Sequence, residues 1–117
     1  MQIIPKGGII GIRKFFSIFT VAVALASAGE VLAAEGAVIF ALKCASCHGK
    51  DAKGSPMAPQ LAGSEFINGP EDPIKQAISN GRSGDAKKYK QFPLPMPKLG
   101  LKDDEIDAVV KYLKSLK

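Results

Sequence analysis

Within Cys44-Ala45-Ser46-Cys47-His48, three side chains stand at a spacing that carries its own chemistry. Cysteines at i and i+3 project from one side of a helical turn, so their thiols can reach two points on one planar ligand. The next residue then turns its imidazole beneath a metal at that ligand's centre. C-x-x-C-H is the attachment sequence for a covalently bound c-type haem. His48 is the sole histidine in the chain, so no other imidazole competes for the iron. Three duller readings are weaker. A structural disulfide between Cys44 and Cys47 suits an oxidising compartment. A thioredoxin-like redox pair needs a βαβ context that the sequence lacks. Zinc needs four ligands, and the chain offers two cysteines and one histidine.

An iron held by His48 on one side needs a ligand on the other or stays open to small molecules. Downstream of the haem motif there are two methionines, Met57 and Met96. Met96 sits in Pro93-Leu94-Pro95-Met96-Pro97, where three prolines fix φ and remove backbone donors. Such a segment is stiff and extended, suited to holding one thioether at a fixed height. Met57 follows the haem motif too closely and reads as a gap-filler on the haem edge or its loop. An iron with no second protein ligand is the third possibility.

The elements that must position these groups read as all-α. Glu35 to about Ser46 predicts a helix with Val38, Ile39, Phe40 and Leu42 and no breaker, and Gly49 lies just past its end. The span from Gly49 to Pro73 is rich in Gly and Pro and reads as loop. Pro73 to Asn80 predicts a short helix stopped by Asn80-Gly81. Gly84 to Pro97 is irregular. Asp103 to Leu116 is the clearest helix, with Ile106, Val109, Val110, Leu113 and Leu116 at helical spacing, acids at its start and lysines at its end. No run alternates like a strand, and long loops in so small a domain need something to wrap around.

Apolar residues fill 21 of the first 34 positions but only 33 of the remaining 83. Arg13-Lys14 precede an apolar run from Phe15 to Ala28, and Val31-Leu32-Ala33-Ala34 offers small residues at the exit. That order is a secretory signal with cleavage near Ala33/Ala34, giving residues 1–34 as leader and 35–117 as the mature domain. The run is short for a spanning helix, so a stable span in the mature form is not expected; an uncleaved N-terminal anchor is the competing reading. Removing the leader takes the net charge from +5 to +3, too mild to suggest nucleic acid. A domain of this size often depends on a cofactor for its stability.

The stretch Gly36 to Gly49 resembles the N-terminal helix and haem motif of the class I cytochrome c family, and Asp103 to Leu113 resembles its C-terminal helix. The resemblance covers nearly all of the chain after the leader. It implies the cytochrome c fold: three to four short helices and long loops around one covalent haem c. It implies thioether attachment at Cys44 and Cys47, axial iron ligands His48 and Met96, and a Pro59 carbonyl that accepts the Nδ1–H of His48. It also implies a crossing of Gly36 and Phe40 with Val109 and Tyr112. Lys102 departs from the family's usual Ser or Thr cap, and Asp103 is expected to take that place. Leu61, Phe66, Ile74, Ile78, Phe92, Leu94, Leu99 and Leu101 read as haem-packing core. Arg82 stands as either a propionate partner or an exposed residue.

With both axial positions filled the iron changes by one electron with little rearrangement. The expected function is a soluble, non-enzymatic, monomeric electron carrier between periplasmic redox proteins. Lys87, Lys88, Lys90 and Lys98 are candidate docking charges for an acidic partner. The alternatives are a dedicated haem c subunit docked to a periplasmic dehydrogenase or oxidase and, further off, a gas-binding or peroxidase-type haem.

Overall fold

The structure, a computed structural model, describes residues 28–117. The charged and apolar parts of the expected leader, up to residue 27, lie outside the described residues. Among the described residues five α-helices occur in the order α1 (Ala28–Lys43), α2 (Ala45–His48), α3 (Glu65–Asn68), α4 (Glu71–Asn80) and α5 (Asp103–Ser115), with a 3₁₀ turn at Gly84–Ala86. The only strand-like pairing among the described residues is an isolated antiparallel bridge between Arg82 and Met96.

The first helix differs from expectation at both ends. It starts upstream of Glu35, because Glu30, Leu32, Ala33 and Ala34 are good helix formers that outweigh Gly29 and Val31. It stops at Lys43 instead of continuing to Ser46. Cys44, at φ −119°, breaks the helix and restarts it as the single turn α2. The Cys44 carbonyl then accepts from the N–H of His48 at 3.0 Å, and that bond aims the imidazole.

α1 crosses α5, and these two long helices make the main interface of the domain. A Cβ at Gly36 would overlap the Ala108 carbonyl oxygen and come within 2.9 Å of Tyr112 Cβ, so only glycine permits this approach. One turn on, the Phe40 and Tyr112 rings meet with centroids 5.4 Å apart at 51°. Val109 and Phe40 are each 1% exposed. The expected crossing of these four residues is therefore observed.

α5 starts without a side-chain cap at Lys102, and Asp103 does not supply one. Glu105 Oε2 instead accepts the Lys102 N–H at 2.8 Å. This is half of a capping box; an ammonium cannot accept, so the reciprocal bond is missing. Acids in the first turn still favour the positive end of the helix dipole.

α4 packs on α5 and buries Ile74, Ala77 and Ile78. Outside that seam, Lys75 bridges Asp107 at 2.8 Å and Glu71 at 3.6 Å, and Lys111 reaches Glu71 at 3.7 Å. α3 was not legible as a helix. Ser64 Oγ caps it by accepting from Ile67 N–H at 3.3 Å, and Lys114 of α5 donates to the carbonyls of Ile67 (3.1 Å) and Gly69 (2.6 Å) at its far end. Four residues form no stable helix alone; tertiary tethers hold this one.

Candidate functional site

A cavity of about 380 Å³ lies inside the loops, within the range of small-molecule and cofactor sites. Cys44, Cys47, His48, Pro59 and Met96 all line it, so every residue proposed from the sequence for ligation comes to one place. Leu61, Phe66, Ile74, Ile78, Phe92, Leu94 and Leu99 line it too, whereas Leu101 packs on the core without reaching it. Met57 is also at the wall but 39% exposed, while Met96 is half-buried against the core.

The histidine wall is built by local backbone. Gly49, at φ 85°, ends α2 in the left-handed region, and the His48 carbonyl accepts from Gly54 N–H at 2.7 Å. Ala52 then reverses the chain at φ 58°, with its side chain fully buried. Its carbonyl accepts from both Leu61 (2.8 Å) and Ala62 (2.9 Å). This fold-back brings the Pro59 carbonyl to 2.9 Å from His48 Nδ1. A carbonyl only accepts, so the Nδ1 carries the proton and Nε2 keeps its lone pair for a metal.

The cysteines are not joined to each other. Burial first, then the neighbouring Cys47, pushes the Cys44 thiol up to about 11.

The methionine wall is built differently. Arg82 N–H donates to the Met96 carbonyl at 2.8 Å and Met96 N–H to the Arg82 carbonyl at 2.9 Å. Gly81, at φ 68°, packs so tightly on this joint that a Cβ would lie 2.5 Å from the Met96 oxygen. Sequence reading recognised the stiffness of the prolines but not this two-way backbone joint, which leaves no mark in residue types.

Four cations, Lys43, Arg82, Lys87 and Lys88, line the cavity, and no carboxylate does. Arg82 sits over the Phe66 ring at 4.8 Å and Lys88 over the same ring at 5.4 Å. Arg82 is therefore half-buried at the site rather than out in solvent. Sequence reasoning missed Ile67, Ala77 and Tyr89 as lining residues. Ser64-Glu65 was the one available signal for the first, as an N-cap followed by an acid.

These residues suit a porphyrin better than a bare ion. No cluster of three or more His, Cys, Asp or Glu side chains that could hold a metal exists among the described residues. A tetrapyrrole brings its own equatorial nitrogens and asks the protein only for axial ligands, an apolar envelope and anchorage. One imidazole, one thioether, two thiols and an apolar cavity meet that request.

The comparisons with known proteins agree. The family model described as cytochrome c matches residues 33–117. The chain belongs to the cytochrome c family. Haem c is the cofactor of this family, and the cavity described above fits it. Cytochrome c-554(547) of Halothiobacillus neapolitanus is 33% identical over 93 residues, covering 73% of this chain and 97% of that protein. The cbb3-type cytochrome c oxidase subunit FixP of Bradyrhizobium diazoefficiens is 40% identical over 86 residues, covering 71% of this chain and 30% of the relative. Subunit CcoP of Rubrivivax gelatinosus is 35% identical over 82 residues, covering 69% and 25%. The chain thus spans under a third of the oxidase subunits it matches, and nearly all of the Halothiobacillus protein.

Proposed function

We propose that the chain is a one-electron carrier between periplasmic redox proteins, without enzymatic turnover. The observation that carries this reading is the meeting of His48 and Met96 at one apolar cavity. In this reading Cys44 and Cys47 would anchor the haem, and His48 and Met96 would hold its iron. The haem supplies a one-electron couple. The residues supply the rest: Pro59 holds the proton on His48 Nδ1 and raises the basicity of the ring, and the apolar wall limits water. An iron held by both His48 and Met96 would offer no place for substrate, which disfavours a gas-binding or peroxidase role.

Charge placement supports an acidic partner. All three ion pairs among the described residues lie on α4 and α5, whereas the cavity lining is cationic and without acids. Such asymmetry steers association. Within the lysine group, Lys87 and Lys90 donate to carbonyls of their own loop, and Lys88 sits on Phe66, so part of the cluster braces the loop. The steering role is tested by ionic strength: electron transfer to the physiological acceptor slows as salt rises, and a flat profile removes steering from the account.

Residues 1–34 are read as an export leader and 35–117 as the mature, monomeric domain; Gly36 and Phe40 then remain to make the helix crossing. No helix among the described residues is long and apolar enough to cross a membrane. Mass spectrometry of the native protein locates the cleavage site, and an intact N-terminus favours the anchor instead.

Ligation is tested in the haem-loaded protein. The oxidised form shows a sulfur–iron charge-transfer band that Met96→Ala abolishes and Met57→Ala leaves in place; survival of the band in Met96→Ala removes Met96 from the iron. A second reading, a dedicated electron-transfer subunit of a larger oxidase or dehydrogenase, is favoured by the FixP and CcoP relatives. Gel filtration of native extract separates the two: migration at monomer size supports the carrier, and co-migration with an oxidoreductase supports the subunit.

A further inference from the structure

The Arg82–Met96 joint forms a neck, and the segment between its two partners, residues 83–95, makes its hydrogen bonds to itself. Ala86 N–H donates to Ser83 O (3.1 Å), Lys87 N–H to Gly84 O (3.2 Å) and Phe92 N–H to Tyr89 O (3.4 Å). Lys90 Nζ donates to Gly84 O at 3.0 Å, and Lys87 Nζ donates to Phe92 O. Tyr89 and Phe92 meet edge to face at 6.3 Å. At the base, Arg82 and Met96 exchange both backbone bonds, so the segment leaves and returns at one hydrogen-bonded pair. A compact loop with adjoining ends, packed by its own side chains, is an Ω-loop. Toward the rest of the domain, Lys87, Lys88, Tyr89, Phe92, Leu94 and Pro95 line the cavity, and Lys88 rests on Phe66.

We propose that residues 83–95 are a cover that controls which redox reagents reach the cofactor, and that this cover is separable from the placement of Met96. The inference rests on the reading of the cavity as a haem site with Met96 at the iron. The neck fixes Met96 from outside the loop, through Gly81 and Arg82, so the loop is free to act on access. Leu94, 52% exposed between two prolines, gives the cover a rigid apolar tip.

The test replaces residues 83–95 in the haem-loaded protein by Asn-Gly, the two-residue link that suits an antiparallel hydrogen-bonded pair. The excised protein keeps the sulfur–iron charge-transfer band. Its midpoint potential falls, because admitted water favours the more highly charged oxidised site. Electron exchange with ferrocenemethanol rises more than about threefold; the reagent is neutral in its reduced form, so loss of the loop's charges does not explain the gain. An unchanged exchange rate overturns the cover. Loss of the band in the excised protein, with the band present in the parent, overturns separability. A band that survives Met96→Ala in the full chain is a different failure, that of the ligand assignment, and the exchange rate still tests the cover. Should the excised chain not mature, Lys87→Met with Phe92→Ala removes the Lys87 donor to the Phe92 carbonyl and the Tyr89–Phe92 ring contact, loosening the loop in the full chain. It must keep the band and raise the exchange rate, and an unchanged rate there overturns the proposal.

Discussion

Replacing Gly81 by alanine tests whether the backbone joint places the methionine. Gly81 has φ 68° and ψ −175°, a region open essentially to glycine, and an L-residue there costs about 1–3 kcal/mol. The new Cβ would also stand 2.5 Å from the Met96 oxygen, and 2.9 Å from both the Lys98 nitrogen and the Pro97 carbonyl carbon. All three are backbone atoms, so no side chain can swing aside. The neck has to open, and its two hydrogen bonds are worth about 1 kcal/mol each. The combined cost is about 3–5 kcal/mol, delivered at Met96. Gly84 is the control. Its φ is also positive, at 54°, but a Cβ there meets nothing within 4 Å, so Gly84→Ala costs only about 1–2 kcal/mol of left-handed strain. In the oxidised haem-loaded protein, Gly81→Ala loses or weakens the sulfur–iron band and lowers the guanidinium midpoint, while Gly84→Ala keeps the band. If the two variants behave alike, the joint does not place Met96 and the reasoning fails.

Gly36→Ala forces α1 away from the Ala108 carbonyl, an overpacking against backbone that costs about 3 kcal/mol, read as a lower urea midpoint with an unaltered slope. Lys114→Met strips the Ile67 and Gly69 carbonyls of their donor and costs about 1–3 kcal/mol; because Phe66 and Ile67 of α3 line the cavity, the midpoint potential shifts as well, and Lys114→Arg restores part of both. Ser64→Ala removes the cap of the same helix and costs about 1 kcal/mol in thermal or chemical unfolding.

The parts of this molecule that sequence made legible are those set by residue type. Cys44, Cys47 and His48 declare their chemistry through spacing, and α5 shows its buried face through Ile106, Val109, Val110 and Leu113. What escaped is set by backbone geometry or by distant partners. Ala52 adopts a conformation that alanine rarely uses, and nothing in its type announces it. The Arg82–Met96 pairing joins residues far apart in the chain through groups every residue possesses. α3 is too short for periodicity and depends on Lys114, 45 residues beyond Gly69. The break at Cys44 was hidden because the residues on both sides are good helix formers.

These differences explain why the two walls of the site are unlike. The histidine wall is local: its turn, its fold-back and the Pro59 carbonyl all lie between Cys44 and Ala62, and α1 ties them to the main helix crossing. The methionine wall hangs on one backbone joint, a crowded glycine and a proline-stiffened segment with exposed residues on both sides of Met96. A segment with few buried neighbours and a single non-local joint opens at lower free energy than one built into the core. In the proposed ligation the imidazole is therefore the fixed ligand and the thioether the adjustable one. Prolines at 93, 95 and 97 limit what the unattached chain could explore, and so reduce the entropy lost when the joint closes. Stiffness written into the sequence thus offsets the sparse packing on this side of the cofactor.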